Sequence, residues 1–446
     1  METAVIKSVR NREIQVSGPV VRPGVGTVRE AEYDGRPCLV KWFSGKELAE
    51  TGCGRELYEN VKAHLDQTSP GKYFLWPADV SEMEQGSFGY VLDKDVDMAS
   101  YMSLADLMEE KDYYERWSVT VSAALSLITA FSQLRQKQFH FLHMTEDDIF
   151  IHRKTGQVLI ANGEFAMKGR KQKGGEPAAW RPASASRLLS PACVMKRKAA
   201  DQASDNHMLA ALLFEILYLQ HPLEGCRTAA YPVMDEEAKR TVYGTAPRFV
   251  YDDEDDSNQP VRGIHNNLIN RWKLYPGYVG ELFSAGFSQE TLSAKKPYVT
   301  AKQWHSMFVK LRSHIVQCPS CGTENIWQPG ERCRNSKCRK PLPGPSLYCR
   351  IGEEAYPVFP GGSLYQCQLE PEGNIAGNDF YALEAGRFLR PKNNSSVCHL
   401  QNLTDREWTV VDENGEERPL EPRETVILKA GLKIADEGRT IWVSQE

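Results

Sequence analysis

Phe141-Leu142-His143-Met144-Thr145-Glu146-Asp147-Asp148-Ile149-Phe150-Ile151, followed by Val158-Leu159-Ile160-Ala161-Asn162-Gly163, is the most informative stretch of this chain. A polar loop with three consecutive acids lies between apolar anchors, and the second apolar run ends on an Asn-Gly turn. Outward from it, 446 residues allow two to four domains at roughly 100 to 200 residues each. The chain is 41% hydrophobic and 25% charged with a net charge of -5, which gives no whole-chain argument for nucleic acid or an anionic membrane. Its N-terminus lacks an apolar leader and no run of about 18 apolar residues stands out, so a cytoplasmic protein is expected. Four of the eleven cysteines cluster between 318 and 338, which points to a metal site among reduced thiols.

The order of elements is a small β-rich part followed by a larger α-rich one. Val20 to Ala31 and Pro37 to Phe43 flank an Asp34-Gly35 hairpin turn. A helical pattern covers 46 to 65, and Phe74 to Trp76 and Phe88 to Leu92 read as strands. Trp117 to Leu134 places Val121, Ala124, Leu125, Ile128 and Phe131 on one face of a buried helix. Residues 168 to 198 hold nine Lys or Arg and one Glu, as a solvated loop or as a docking surface for an acidic partner. Asp252 to Asp256 reads as a solvated acidic loop, because a calcium loop would need a Gly and a terminal Glu that are not in place. Pro341 to Pro345 makes a stiff linker. Beyond it, Leu364 to Leu369, Trp408 to Val411, Val426 to Lys429 and Ile441 to Val443 read as strands of a small β-sandwich.

The opening stretch resembles the catalytic loop and metal turn of protein kinases, H-R-D-L-x-x-x-N followed by D-F-G. In that register the catalytic Asp has become His143, the loop Asn has become Asp148, and the metal-turn Asp has become Asn162. Cys38-Leu39-Val40-Lys41 is similar to the V-A-I-K strand, so the resemblance implies that Lys41 faces nucleotide phosphates and is held by a helix carboxylate, Glu56 or else Glu59. Registered on Val28, the phosphate loop has Val21 and Pro23 in place of its first two glycines; Gly26 is kept and Gly24 is displaced by one. His143 is either a tolerated structural residue or a general base, and Asp148 could keep one Mg2+. Ser190-Pro191-Ala192 stands where A-P-E belongs, without its Glu. Ser204 to Ala210 resembles the start of the buried central helix, with Asp205 as a structural cap on the catalytic loop.

Asp205-Asn206-His207, His221-Pro222-Leu223-Glu224-Gly225, Tyr243-Gly244, Asn258-Gln259-Pro260-Val261, Arg271-Trp272 and Trp304, followed by a cysteine knuckle, narrow the resemblance. Together they resemble the bacterial kinase-like member of triads with a TerY-type von Willebrand A protein and a PP2C-like phosphatase, linked to tellurite-resistance and stress loci. The resemblance implies an α+β, bilobal protein-kinase-like fold: residues 1–95 an N-lobe and 96–315 a C-lobe. A zinc ribbon at 316–345 and a β-sandwich at 346–446 follow. Active members carry an Asp and an Asn in the catalytic loop and an Asp in the metal turn, so this chain is expected to be a pseudokinase acting as a scaffold or regulator, with residual nucleotide binding through Lys41 left open. A weak Ser/Thr kinase or a nucleotidyl transferase using ATP with Mg2+ is the alternative.

Cys318-x2-Cys321-x11-Cys333-x4-Cys338 offers four thiolates at knuckle spacing, which suits a closed structural Zn2+ site. In the last domain Gly386-Arg387, Ser396-Val397-Cys398-His399 and Asn402 are similar to signals of forkhead-associated modules, which bind phosphothreonine. A degenerate sandwich used for packing and a phosphopeptide reader both remain open.

Overall fold

The computed structural model describes residues 4–22, 26–93, 96–109, 116–169, 186–370, 372–391, 397–437 and 439–445. Pro23, Gly24, Ser396 and most of the basic stretch, 170–185, lie outside the described residues. With 33% helix and 26% strand the chain is of mixed α and β type. It divides into two compact units, one formed by 1–111, 130–272 and 281–301, the other by 112–129, 273–280 and 302–446.

In the first unit, β1 (Ala4–Lys7), β2 (Glu13–Arg22), β3 (Thr27–Tyr33), β4 (Arg36–Phe43), β5 (Pro77–Val80) and β6 (Phe88–Leu92) form one antiparallel sheet in the order β1-β2-β3-β4-β6-β5. The β3-β4 hairpin closes on Asp34 and Gly35, both at positive φ (49° and 72°), the two-residue turn whose twist matches the strands. Strand alternation sends Leu39, Lys41 and Phe43 to one face and Val40 and Trp42 to the other. The Leu39 face packs on the helix α2 (Gly54–His64) through Leu57, Tyr58 and Val61. The single helix expected over 46–65 is two: α1 (Gly45–Thr51) ends where Gly52 turns left-handed at φ 67° and donates to Ala49 O. Such a residue stops the 3.6-residue repeat, so α2 starts on a new axis.

The opening stretch folds as a strand, a loop and a hairpin. After β7 (Tyr101–Ser103), α3 (Leu104–Glu109) and α4 (Trp117–Gln136) come β8 (Phe139–Phe141), β9 (Ile149–His152), β10 (Val158–Ile160) and β11 (Ala166–Lys168). β9 pairs with β10 and β7, and β8 pairs with β11, so the loop between β8 and β9 lies beside the turn between β10 and β11. α4 is long and apolar enough to cross a membrane by length and composition, and 89% of that window is buried inside the protein, as befits a core helix. After α5 (Pro191–Val194), α6 (Gln202–Tyr218) is also buried on nearly all sides. Its Asp205 accepts from Phe141 N at 3.1 Å, the contact with the loop that the sequence suggested.

Two motifs read separately in the sequence prove to be one joint. A Cβ on Gly225 would lie 1.9 Å from Asn258 O, so only glycine allows the approach. Buried Asn258 donates to Leu223 O (3.0 Å) and Arg248 O (2.8 Å), and accepts from Arg227 N (3.2 Å).

In the second unit the hairpin of β12 (Ile315–Gln317) and β13 (Glu324–Ile326) carries the cysteine cluster. Two antiparallel sheets follow. β14 (Tyr348–Ile351), β15 (Glu354–Pro357), β19 (Trp408–Val411), β20 (Glu417–Leu420), β22 (Lys433–Asp436) and β23 (Arg439–Ser444) form one, in the order β15-β14-β23-β22-β19-β20. β16 (Ser363–Tyr365), β17 (Glu384–Leu389), β18 (His399–Asn402) and β21 (Thr425–Ile427) form the other. The ring of Trp408 from the first reaches to 3.4 Å of a Cβ position on Gly386 of the second, so the sheets face each other across an apolar core. Four of the six residues of the strand expected at Leu364 to Leu369 instead form a helical turn, Gln366–Leu369, started by a bond from Tyr365 N to Gln368 Oε1 (2.8 Å).

Candidate functional site

Because alternation turns Lys41 inward, its ammonium needs partners inside the first unit. Nζ lies 2.5 Å from Glu164 Oε1, 2.9 Å from Ala161 O and 3.7 Å from Asp148 Oδ1. Glu164 Oε2 accepts from Tyr90 OH at 2.7 Å, and the Lys41 and Glu164 side chains are only 5% and 1% exposed. Gly26, at φ 75°, is pressed against the lysine stem: a Cβ there would lie 2.8 Å from Lys41 Cε and 2.5 Å from Phe43 Cε1. Among the described residues the ammonium is thus held by two carboxylates and a carbonyl oxygen.

The expected partner of Lys41 is corrected by this geometry. Glu56 and Glu59 lie on the exposed side of α2, opposite Leu57, Tyr58 and Val61, and Lys41 takes Glu164 instead. α2 reaches the same turn through other residues. Asn60 Nδ2 donates to Glu164 O (2.9 Å) and Ala166 O (3.0 Å), and His64 Nε2 lies 2.9 Å from both Gly163 O and Ala166 O. Sequence reasoning missed Glu164, Tyr90, Asn60 and His64. One signal was present: Glu164 is the only acid in the sequence between Asp148 and Glu176, beside the Asn162-Gly163 turn.

The three altered loop positions come together around this ion pair. Asp148 Oδ2 accepts from Thr145 N (2.8 Å) and Thr145 Oγ1 (3.1 Å), capping its own turn. Burial raises its carboxyl to about 6, against the opposing pull of Lys41. Asn162 Nδ2 donates to His143 O at 2.5 Å, so the amide clips the loop backbone. Burial, helped by Lys41, lowers the His143 imidazole to about 4; it is neutral at pH 7 and packs against Phe165 at 5.0 Å between ring centres. A kinase-type site needs an orienting carboxylate and two metal-binding side chains. Here one is a histidine, one is an amide bound to backbone, and Asp148 is engaged with Lys41 and Thr145.

A second polar centre gathers other signature residues. The Arg187 guanidinium meets Glu224 (2.7 Å), Glu146 (2.9 Å) and Glu215 (3.3 Å), and Tyr243 OH donates to Glu224 Oε1 (2.6 Å). Burial drives the Glu215 carboxyl well above its ordinary range. For Glu224 burial acts upward too and is the largest single influence, but Arg187, His221 and the bond from Tyr243 together hold the group below its ordinary value. Arg187 therefore ties the loop, through Glu146, to the central helix α6 and to the His-Pro-Leu-Glu-Gly motif.

In the second unit the four cysteines meet as their spacing suggested. The Sγ atoms of Cys318, Cys321, Cys333 and Cys338 lie within 4.8 Å of one another, with 3.8 Å between Cys318 and Cys338 and 3.5 Å between Cys321 and Cys333. A tetrahedral ion with bonds of about 2.3 Å to sulfur needs edges of roughly 3.8 Å, whereas a disulfide needs about 2.05 Å. The set can thus hold a metal ion such as zinc, leaving no coordination position open. The first knuckle turns on Gly322 (φ 74°), whose N donates to Cys318 O at 2.8 Å. The longer second spacing is absorbed by Asn335, which accepts from Lys337 N on Oδ1 (3.0 Å) and from Cys338 N and Arg339 N on its carbonyl (2.9 and 3.1 Å). Arg339 takes the left-handed position there at φ 49°. Around the thiols, Asn325 Nδ2 lies 3.8 Å from Cys333 Sγ and Thr323 Oγ1 lies 3.4 Å from Cys321 Sγ. The hairpin is bolted to the start of α4: the Glu324 carboxylate accepts from Ser118 N (3.0 Å) and Ser118 Oγ (2.8 Å), an acid on a helix N-terminus.

The forkhead-type residues are occupied otherwise. Arg387 lies inside β17 and pairs with Glu384 on the same strand. Asn402 is buried, donating to Arg406 O (2.7 Å) and accepting from Thr404 N (2.9 Å), which makes it the tie of its own loop. No protein-family model and no curated protein matches this chain, so its functional reading rests on the geometry of these sites.

Proposed function

We propose that this chain is a protein-kinase-like pseudokinase, a regulatory or scaffolding protein of the bacterial family that works beside a von Willebrand A protein and a PP2C-like phosphatase in the cytoplasm. The observation that carries the reading is the Lys41–Glu164 pair, 2.5 Å long and almost fully buried, with Gly26 closed over the lysine stem. A phosphate-binding lysine, even when a carboxylate holds it, needs a side open to the ligand; this side chain is only 5% exposed. His143 and Asn162, engaged as described, supply neither an orienting carboxylate nor a second metal ligand. In this reading Cys318, Cys321, Cys333 and Cys338 hold one structural Zn2+, which supplies folding energy to the hairpin and no chemistry.

The alternative, a weakly active Ser/Thr kinase or nucleotidyl transferase, is favoured by one contact only: Asp148 stays 3.7 Å from Lys41, where ATP with Mg2+ would need both. It requires Glu164 to give up the lysine. The deciding experiment is a thermal shift titration with ATP, with and without Mg2+, run alongside transfer from γ- and α-labelled ATP. No shift and no transfer are expected; transfer that disappears in Lys41→Ala would overturn the proposal. Elemental analysis of the purified chain is expected to give one zinc per molecule.

A further inference from the structure

The four thiols of the cluster are unequally protected. Cys318 and Cys333 are 2% and 0% exposed and Cys338 is partly covered, but Cys321 stands open to solvent. Its neighbours Pro319, Ser320 and Gly322 are exposed too, and nothing lies within 4 Å of a Cβ position on Gly322. The nearest sulfur to Cys321 among the paired contacts is that of buried Cys333, at 3.5 Å. A solvent-open cysteine with a second sulfur 3.5 Å away has the exposure and the resolving partner that make a cysteine redox-sensitive.

We propose that Cys321 is a modification site at which a peroxide opens the metal centre. The proposal rests on the reading that the cluster holds Zn2+. The Cys321 thiolate attacks one peroxide oxygen: an S–O bond forms, the O–O bond breaks and hydroxide leaves. The Cys333 thiolate then attacks the Cys321 sulfenic sulfur; an S–S bond forms and a second hydroxide leaves. Each sulfur gives up one electron, and one hydrogen peroxide is reduced to two hydroxides. Two of the four ligands are lost in one event, and two thiolates do not retain a structural zinc. Bringing the sulfurs from 3.5 Å to a disulfide length of about 2.05 Å also draws the two knuckles together. Oxidation would thereby loosen the hairpin that presents Glu324 to α4.

The test is a hydrogen peroxide titration of the full zinc-loaded chain with a chromogenic zinc chelator, followed by peptide mapping. One zinc released per chain, with a Cys321–Cys333 cross-linked peptide, is expected. Cys321→His, which keeps a ligand but removes the thiol, should retain zinc and slow its release at least tenfold. Should that variant fail to bind zinc, the order of alkylation by iodoacetamide in the unmodified chain decides, with Cys321 expected first among the four. Zinc retained under peroxide, release with a different cysteine pair joined, or first labelling at another member of the cluster would overturn the proposal. A chain that neither contains nor takes up zinc would instead defeat the metal reading beneath it.

Discussion

Lys41 is a residue that the sequence singles out and whose partner it misassigns. The likeness of Cys38-Leu39-Val40-Lys41 to V-A-I-K draws attention to it, but the partner, Glu164, is 123 residues away and meets it only once two strand systems have folded. Removing one member of a buried pair leaves the other charge unpaired, so Lys41→Met is expected to destabilise the protein by about 3–5 kcal/mol in urea unfolding. The double variant Lys41→Met with Glu164→Leu should recover much of that loss, because no lone charge remains. Glu56→Gln is expected to stay within about 0.5 kcal/mol, as for an exposed side chain. A large loss at Glu56 with little at Lys41 would reverse the assignment. Asp205, 64 residues from Phe141, was expected as a cap on the loop only through the family resemblance of Ser204 to Ala210, and it does accept from Phe141 N.

Among the elements, helices and hairpins set by periodicity or turn chemistry were readable, and those set by a single stop were not. α4 and the Asp34-Gly35 hairpin fall where apolar spacing and turn residues put them. The break between α1 and α2 depends on Gly52 alone, which an apolar repeat running past it conceals. The joint between Gly225 and Asn258 was visible only as two unconnected motifs. Gly225→Ala drives a Cβ into backbone rather than into a side chain that can swing away, so a loss above about 3 kcal/mol, or failure to yield folded protein, is expected in denaturant melts. Glu324→Ala should remove the charged cap of α4 and lower stability by about 1–2 kcal/mol, with zinc content unchanged because Glu324 is not a ligand.

For the molecule as a whole, buried histidines set the response to acid. Burial lowers His64, His143, His207 and His305 to about 4, and His221 to about 3. Unfolded histidine takes up a proton near pH 6.5, so between roughly 6.5 and 4 the unfolded chain binds more protons and stability falls as pH drops. Asp148 works the other way. Raised to about 6, it gains a proton on folding over roughly pH 4 to 6 and adds stability as pH falls. Asp205 and Glu215, whose carboxyls burial also raises, act with Asp148, but the lowered histidines, His140, His265 and His314 among them, outnumber these three, so the urea midpoint should decline from pH 6.5 to 4 and Asp148→Asn should steepen the decline; a flat profile would contradict these burials. Local pattern was enough to establish the mixed α and β class, the buried helices and the four-thiol cluster, because those depend on spacing along the chain. Folding settled which carboxylate takes Lys41, how Asn162 and Arg187 are spent, which thiol faces solvent and that Arg387 lies within a strand. Each of these depends on groups far apart in sequence competing for one buried or exposed place, and that competition has no trace in the order of residues.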